Sequence, residues 1–203
     1  RGGGATPGTR VWFSTDAGMQ PGDGSLAEAA VVPADRLVPL PSRVADVDAA
    51  ALGLSAVAAW MALTWRGQLR AGERVLVLGA GGVVGQVAVQ IAAALGAGVV
   101  VAASRREQAR ERALRRGAGA VVDLADGDVD ELERRMRTAA EGEVDLVLDP
   151  VCGEASTAAL RVLAENGRLV NLGSAGGASA SFDSAKLRSG SHSILGYTNT
   201  TLS

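Results

Sequence analysis

RVLVLGAGGVVGQVAVQIAAALGAGVVVAASRR, residues 74–106, is the stretch that decides the fold. Val75 to Leu78 form an unbroken apolar run, the pattern of a strand buried on both faces. Gly79, Gly81, Gly82 and Gly85 follow, and Val83 to Leu95 reads as an Ala-rich helix, apolar nearly all round. Gly96 and Gly98 end it, and Val99 to Ala102 make a second apolar strand. Strand, glycine turn, helix and strand together are the arrangement that holds a dinucleotide pyrophosphate. Glycine lets the backbone turn tightly and approach phosphate with no Cβ between them. The free N–H groups of the first helical turn, with the helix dipole behind them, face the negative charge. The spacing is Gly79-x-x-Gly82-x-x-Gly85 with Gly81 extra, because Val84 stands where a strict G-x-G-x-x-G from Gly79 needs glycine. An ordinary βα turn is the competing reading, and the flanking strands and helix favour the dinucleotide. The expected phosphate-side contacts are Gly79, Ala80, Gly81, Gly82, Val83, Val84 and Gly85.

The end of the second strand selects the cofactor. An Asp or Glu about 20 residues past the glycines binds the ribose hydroxyls of NAD. Here Ala103-Ser104-Arg105-Arg106 occupies that place, with no carboxylate before Glu107. A hydroxyl and two guanidiniums suit a 2′-phosphate, whose oxygens arginine can fork. The expected cofactor is therefore NADP(H), read by Ser104 and Arg105. The competing reading makes Arg105 and Arg106 the first members of a solvated helix face that continues through Arg110, Arg112, Arg115 and Arg116.

The remaining bulk properties narrow the class. With 203 residues, 47% hydrophobic and 21% charged, the chain can bury a real core in one large or two small domains. A net charge of −2 gives no electrostatic case for nucleic acid or an anionic membrane. The longest apolar stretch, Val75 to Ala103, is broken by glycines and by Gln86 and Gln90, so no convincing bilayer span is expected. A single cysteine, Cys152, allows no disulfide framework and fits a reducing, cytoplasmic setting. The first residues, Arg1 to Pro7, read as a flexible end without the apolar core of a signal peptide.

Outward from the centre, residues 1–43 read as a β-rich piece with strand candidates at Val11–Phe13 and Ala29–Val32, separated by Asp-Gly and Pro-Gly turns. Ser42 can cap a helix starting near Val44, and a second helix runs over about Ser55 to Trp65. Beyond the central unit, Ser104 can cap a helix over Arg106 to Arg116, and Val121-Val122 is a third strand. Asp128 caps a helix over Val129 to Ala140, and Val144 to Leu148 is a fourth strand ending in Asp149-Pro150. A helix over Gly153 to Leu163, a turn at Asn166-Gly167, a fifth strand over Arg168 to Leu172, a loop from Ser174 to Ala180 and a sixth strand over Ser193 to Tyr197 complete the chain. Alternating strands and helices predict an α/β fold: a doubly wound, parallel six-stranded Rossmann sheet over residues 44–203.

With these pieces in order, the chain resembles the medium-chain dehydrogenases/reductases of the zeta-crystallin-like quinone oxidoreductase branch. The matching stretches are Gly8-Thr-Arg-Val11, Ser25-Leu-Ala-Glu28, Val31-Val32-Pro33-Ala34, Leu37-Val-Pro-Leu-Pro41 and Ala71-Gly-Glu-Arg-Val75. They continue through the glycine turn, Val89-Gln90-Ile91-Ala92, Val144-Asp-Leu-Val-Leu-Asp149 and Gly167-Arg-Leu-Val-Asn-Leu-Gly173. The resemblance implies that residues 1–43 are part of a GroES-like catalytic domain, and that family members carry more chain at both ends. It implies a nicotinamide contact from the backbone of Asn171, Leu172 and Gly173. It also implies NADPH-dependent, metal-free hydride transfer to a quinone or other conjugated carbonyl, and a homodimer joined through the last strand. That strand lies at the sheet edge in the order 3-2-1-4-5-6, and Ile194-Leu195 leaves it apolar and unguarded by charge. A non-enzymatic NADPH-binding or sensor protein on the same fold is the alternative.

The departures from the family matter as much. Zinc-dependent relatives insert a four-cysteine lobe between the segments matching Gly8–Val11 and Ser25–Glu28, and none stands here. The position resembling their third catalytic-zinc cysteine falls near Leu54, which cannot ligate zinc. His192, the only histidine, reads as a surface or loop residue before the last strand. Ala58-Ala59-Trp60 replaces a frequent Thr-Ala-Tyr of the family, so a hydroxyl near the nicotinamide is lost. Cys152 reads as a small packed side chain, because no base is in sight. Trp60 and Trp65 read as core or domain-interface residues rather than stacking platforms. No catalytic residue and no metal ligand is assigned.

Overall fold

The computed structural model describes residues 5–14 and 24–199. The start of the expected flexible end and the turns within residues 15–23 lie outside the described residues. The chain forms two compact units, Arg1–Leu54 and Ser55–Ser203, so residues 44–54 group with the first.

In the first unit, β1 (Val11–Phe13) pairs antiparallel with β2 (Leu37–Pro39), setting Val11 opposite Pro39 and Phe13 opposite Leu37. The strand expected at Ala29–Val32 does not form. Val31 is fully exposed, and a 3-10 turn at Ala34–Arg36 delivers Leu37 to the pairing instead. Pro39 is tolerated because a two-stranded ribbon has a free side that needs no donor. Arg10 ties this ribbon to the following helix, donating to Asp46 Oδ1 at 2.8 Å from Nε.

That helix, α1 (Asp46–Met61), begins two residues later than expected, so Ser42 is not its cap; Asp46 and Asp48 place negative charge in its first turn. Gly53, at φ 30 and ψ −127, breaks α1 into two helices, near the expected junction. A π turn over Ala62–Arg66 follows. By length and composition Asp46–Arg66 could cross a membrane, with a mean hydropathy of 1.6. The break at Gly53 leaves neither half near the ~20 residues a span requires.

The second unit alternates strand and helix. Its elements are β3 (Arg74–Val77), α2 (Val83–Ala94), β4 (Val99–Ser104), α3 (Glu107–Arg115), β5 (Ala120–Asp123) and α4 (Val129–Ala139). They continue with β6 (Val144–Asp149), α5 (Gly153–Arg161), β7 (Leu163–Asn171), α6 (Ser184–Ser189) and β8 (Ser193–Gly196). The strands form one parallel six-stranded sheet in the order β5-β4-β3-β6-β7-β8, the doubly wound arrangement expected. Successive strand residues face opposite sides. Val75 and Val77 pack with Ala88, Val89, Ala92, Leu63 and Leu146 on one face. Leu76 and Leu78 pack with Val101, Leu132, Met136, Val147 and Leu160 on the other. Burial on both faces is why the strands read as unbroken apolar runs.

Three local features differ from the sequence-based picture. Ser104 does not cap α3: it ends β4, and Arg106 occupies the cap position. Asn166-Gly167 is not a turn outside the sheet but a bend within β7, where Asn166 takes φ 60 and the pairing with β6 shifts register. Helix α6 was not anticipated; Asp183 caps it through the N–H groups of Ala185 and Lys186. Asp128 caps α4 as expected, accepting from Glu131 N at 2.9 Å.

Candidate functional site

The glycine turn leaves β3 at Gly79, which takes φ 62. Gly82 then precedes α2 without a side-chain cap, so the N–H groups of Val83, Val84 and Gly85 have no protein acceptor among the described residues. Gln86 braces the turn from within the helix, its Nε2 donating to the Gly81 carbonyl at 3.0 Å. The glycines differ in what they permit. A methyl at Gly85 would collide with the Gly79 carbonyl and lie 2.7 Å from Ala80 Cα, so helix and turn meet there backbone to backbone. At Gly81 it would crowd Ser104 Oγ at 3.0 Å. At Gly82 it would meet only the Gly79 carbonyl, at an ordinary 3.6 Å, so the protein itself has room there.

A cleft of about 730 Å³ opens beside this turn, at the C-terminal ends of β3, β4 and β6. This is the point where the strand order reverses, between β3 and β6, and open sheets of this kind bind ligands there. Gly79, Gly81, Gly82, Val83, Val84 and Gly85 form one wall. Ser104, Arg105 and Arg106 form a second, with Leu124 and Leu132 beside them, and Val151, Cys152 and Gly153 form a third. Leu124, just past β5, and Leu132, in α4, carry no local sequence signal for the site, because they reach the cleft through packing alone.

The charge on the second wall comes from two side chains. Arg105 and Arg106 are exposed and have no side-chain partner among the described residues. Arg110 is engaged elsewhere, with Asp123 and the Ser104 carbonyl. The Ser104 hydroxyl accepts from Arg106 N at 3.3 Å, a turn that bends the chain away from β4. Glu154, in the first turn of α5, is the carboxylate that reaches the cleft.

The other expected contacts lie apart from this wall. Ala80 is fully buried and its N–H is spent on the Ala103 carbonyl at 2.9 Å, so it supports the turn from beneath. Asn171, Leu172 and Gly173 end β7 on the far side of β6. The Asn171 carbonyl accepts from Tyr197 N, Leu172 N donates to the Asp149 carbonyl, both at 2.9 Å, and Gly173 lies against the Pro150 carbonyl. His192 is half-buried before β8, and among the described residues no group of three His, Cys, Asp or Glu side chains is placed to hold a metal ion.

Strand order, crossovers and the glycine cleft together define a doubly wound, Rossmann-type domain. The chain belongs to the zinc-binding dehydrogenase family, whose model matches residues 83–201, and within the medium-chain dehydrogenases/reductases to the zeta-crystallin-like branch. It is 36% identical to the quinone oxidoreductase of Thermus thermophilus, a protein also solved in complex with NADPH; the TM-score is 0.79, over 98% of this chain and 60% of that one. It is 34% identical to quinone oxidoreductase-like protein 2 of Bos taurus, over 79% of this chain and 46% of that protein. It is 37% identical to a segment of a phenolphthiocerol/phthiocerol polyketide synthase of Mycobacterium tuberculosis, over 69% of this chain and 6% of that protein. The chain thus spans less than two thirds of each of these relatives.

Proposed function

We propose that the protein is an NADPH-dependent oxidoreductase that reduces a quinone or another conjugated carbonyl without a metal ion. The observation that carries the reading is the pair of guanidiniums, Arg105 and Arg106, without side-chain partners among the described residues, on the cleft wall where NAD sites place a carboxylate. The residues present fit the dinucleotide. The bare N–H groups of Val83, Val84 and Gly85 offer donors to a pyrophosphate, and Gly82 keeps a Cβ out of its way. Ser104 and Arg105 suit the 2′-phosphate, and the backbone of Asn171, Leu172 and Gly173 suits the nicotinamide side. NADPH, when bound, supplies a hydride. The chain's own work is to bind, orient and exclude water. Similarity to the NADPH-complexed Thermus enzyme supports the cofactor and the acceptor class.

Leu54 at a zinc-ligand position, the missing cysteine lobe and a single cysteine support a reaction without zinc. The edge position of β8 supports a homodimer through that strand, and the single cysteine fits a reducing compartment. The test is steady-state oxidation of NADPH by the full-length protein against a panel of quinones and enones, with and without a chelator. Turnover that survives the chelator is expected. NADPH that is bound but oxidised by no acceptor, or activity lost with stoichiometric zinc, contradicts the reading.

A further inference from the structure

Asp149 ends β6 behind the third wall of the cleft and is only 1% exposed. Its carboxylate accepts four hydrogen bonds. Oδ1 takes Val151 N at 2.9 Å and Cys152 N at 2.8 Å. Oδ2 takes the Ser156 hydroxyl at 2.7 Å and the Asn171 Nδ2 at 2.9 Å. The donors come from three segments: the turn leaving β6, helix α5 and the end of β7. The turn is one that needs holding, because Cys152 sits at φ 60 and ψ −165, a region populated almost only by glycine. Val151 and Cys152 line the cleft, and Val151 packs so close to the glycine turn that a methyl at Gly79 would lie 2.8 Å from its Cγ2. Asn171 passes the connection on, donating from the same Nδ2 to the Gly173 carbonyl at 3.0 Å.

We propose that Asp149 is a positioning residue of the cofactor cleft: its carboxylate locks the Val151-Cys152 turn and Asn171 in one arrangement, fixing the wall that faces Gly79 and so setting cofactor affinity. The inference rests on the reading that this cleft takes NADPH. The chemistry singles out a carboxylate, since an ionised Asp is acceptor-only, with lone pairs enough for four donors. In an Asp149→Asn variant the side-chain oxygen stays with the two backbone N–H groups, which cannot reverse. The new NH2 group then faces the NH2 of Asn171, donor against donor. Ser156 can rotate and accept, but flipping the Asn171 amide to meet the new NH2 would set its Oδ1 against the Gly173 carbonyl that Nδ2 now serves, so one clash replaces the other. A buried donor left without an acceptor is costly, and the strained turn relaxes to find one.

Cys152, the chain's single cysteine, lies in that turn and reports on it directly. The experiment measures Cys152 alkylation by iodoacetamide, by peptide mass spectrometry, together with NADPH affinity and melting temperature, in wild type, Asp149→Asn and Ser156→Ala. At a temperature where all are folded, Asp149→Asn is expected to alkylate about fivefold faster and to bind NADPH about tenfold more weakly. Ser156→Ala, which removes one bond of the four, should move both readouts the same way by less. A folded Asp149→Asn with both readouts within about twofold of wild type, and only its melting temperature lowered, overturns the proposal. Should Asp149→Asn not fold, Ser156→Ala decides: both readouts moving uphold it, melting alone overturns it. A wild type that binds no NADPH overturns the reading of the cleft and the claim on affinity with it, while the alkylation ratio still upholds or overturns the hold on the turn.

Discussion

Arg110 stands 2.9 Å from the Asp123 carboxylate, and the same guanidinium nitrogen donates to the Ser104 carbonyl at 2.8 Å. The pairing ties α3 to the ends of β4 and β5 and takes Arg110 out of the guanidinium cluster. Arg105 and Arg106 are left to face the cleft. Arg105→Ala should therefore weaken NADPH by about 1.5–3 kcal/mol, the range for hydrogen bonds to a charged group, and leave NADH nearly unchanged. Arg110→Ala should lower the melting temperature and affect both cofactors alike. Calorimetric titration of the two cofactors against each variant separates the roles; equal losses for both in Arg105→Ala would take it off the phosphate.

The glycines of the turn should fail in different ways. Gly82→Val should abolish cofactor binding while circular dichroism stays that of the wild type, because the added Cβ meets only the Gly79 carbonyl at 3.6 Å and otherwise reaches the cleft. Gly85→Ala should instead damage the fold, since its methyl has the Gly79 carbonyl and Ala80 in its path. Thermal melts and NADPH fluorescence titrations check both; retained affinity in Gly82→Val would put the phosphates elsewhere.

Glu73 and Arg168 meet through two bonds of 2.8 and 2.6 Å, with side chains 15% and 14% exposed, and join the entry of β3 to β7. Burial pushes the Glu73 carboxyl up, but the bonds from Arg168 and from Arg70 N outweigh it and hold its pKa below the ordinary glutamate value. A depressed folded pKa means a contribution to stability that is full above the unfolded value, about 4.3, and fades as pH falls through the folded one. Glu73→Gln should cost about 2–3 kcal/mol at pH 7. Below about pH 4 the wild type should lose stability more steeply than Glu73→Gln. Urea denaturation from pH 7 to pH 3 tests this, and parallel curves for the two proteins would mean the pair contributes nothing.

Where local signals agree, the sequence was readable. Val75–Leu78, the glycine turn, α2 and the Asp128 cap each depend on residues within one turn of the chain, and the strand order followed from alternation. Ala29–Val32 misled because β propensity counts for nothing without a partner, and Leu37–Pro39 took the pairing. Helix α6 escaped because its six residues carry no apolar period; Asp183, followed by Ser184 and Ala185, was the signal available. At the site, the Gly82–Gly85 wall and Arg105 were visible as pattern and charge. The engagement of Arg110, the burial of Ala80 and the four bonds to Asp149 were not, since each depends on residues distant in sequence.

The edge strand makes a separate prediction. Strand β8 closes the sheet on one side with Ile194 about half exposed; Arg66 Nε takes the outward Gly196 carbonyl at 2.9 Å, and the edge beside Ile194 is left to a second copy. A two-fold axis perpendicular to the sheet would pair β8 antiparallel with itself. Light scattering of the full-length protein should report a dimer, and Ile194→Pro, which removes an outward-facing donor, should shift it toward monomer or aggregate. A stable wild-type monomer would sink the idea.

The claim on which the rest depends is that this cleft selects a 2′-phosphorylated dinucleotide. The direct measurement is calorimetric titration of the wild-type protein with NADPH and with NADH at one ionic strength. A forked contact from Arg105 and a hydroxyl from Ser104 to the phosphate predict NADPH binding tighter by about tenfold or more. NADH binding as tightly as NADPH, or tighter, would contradict the account.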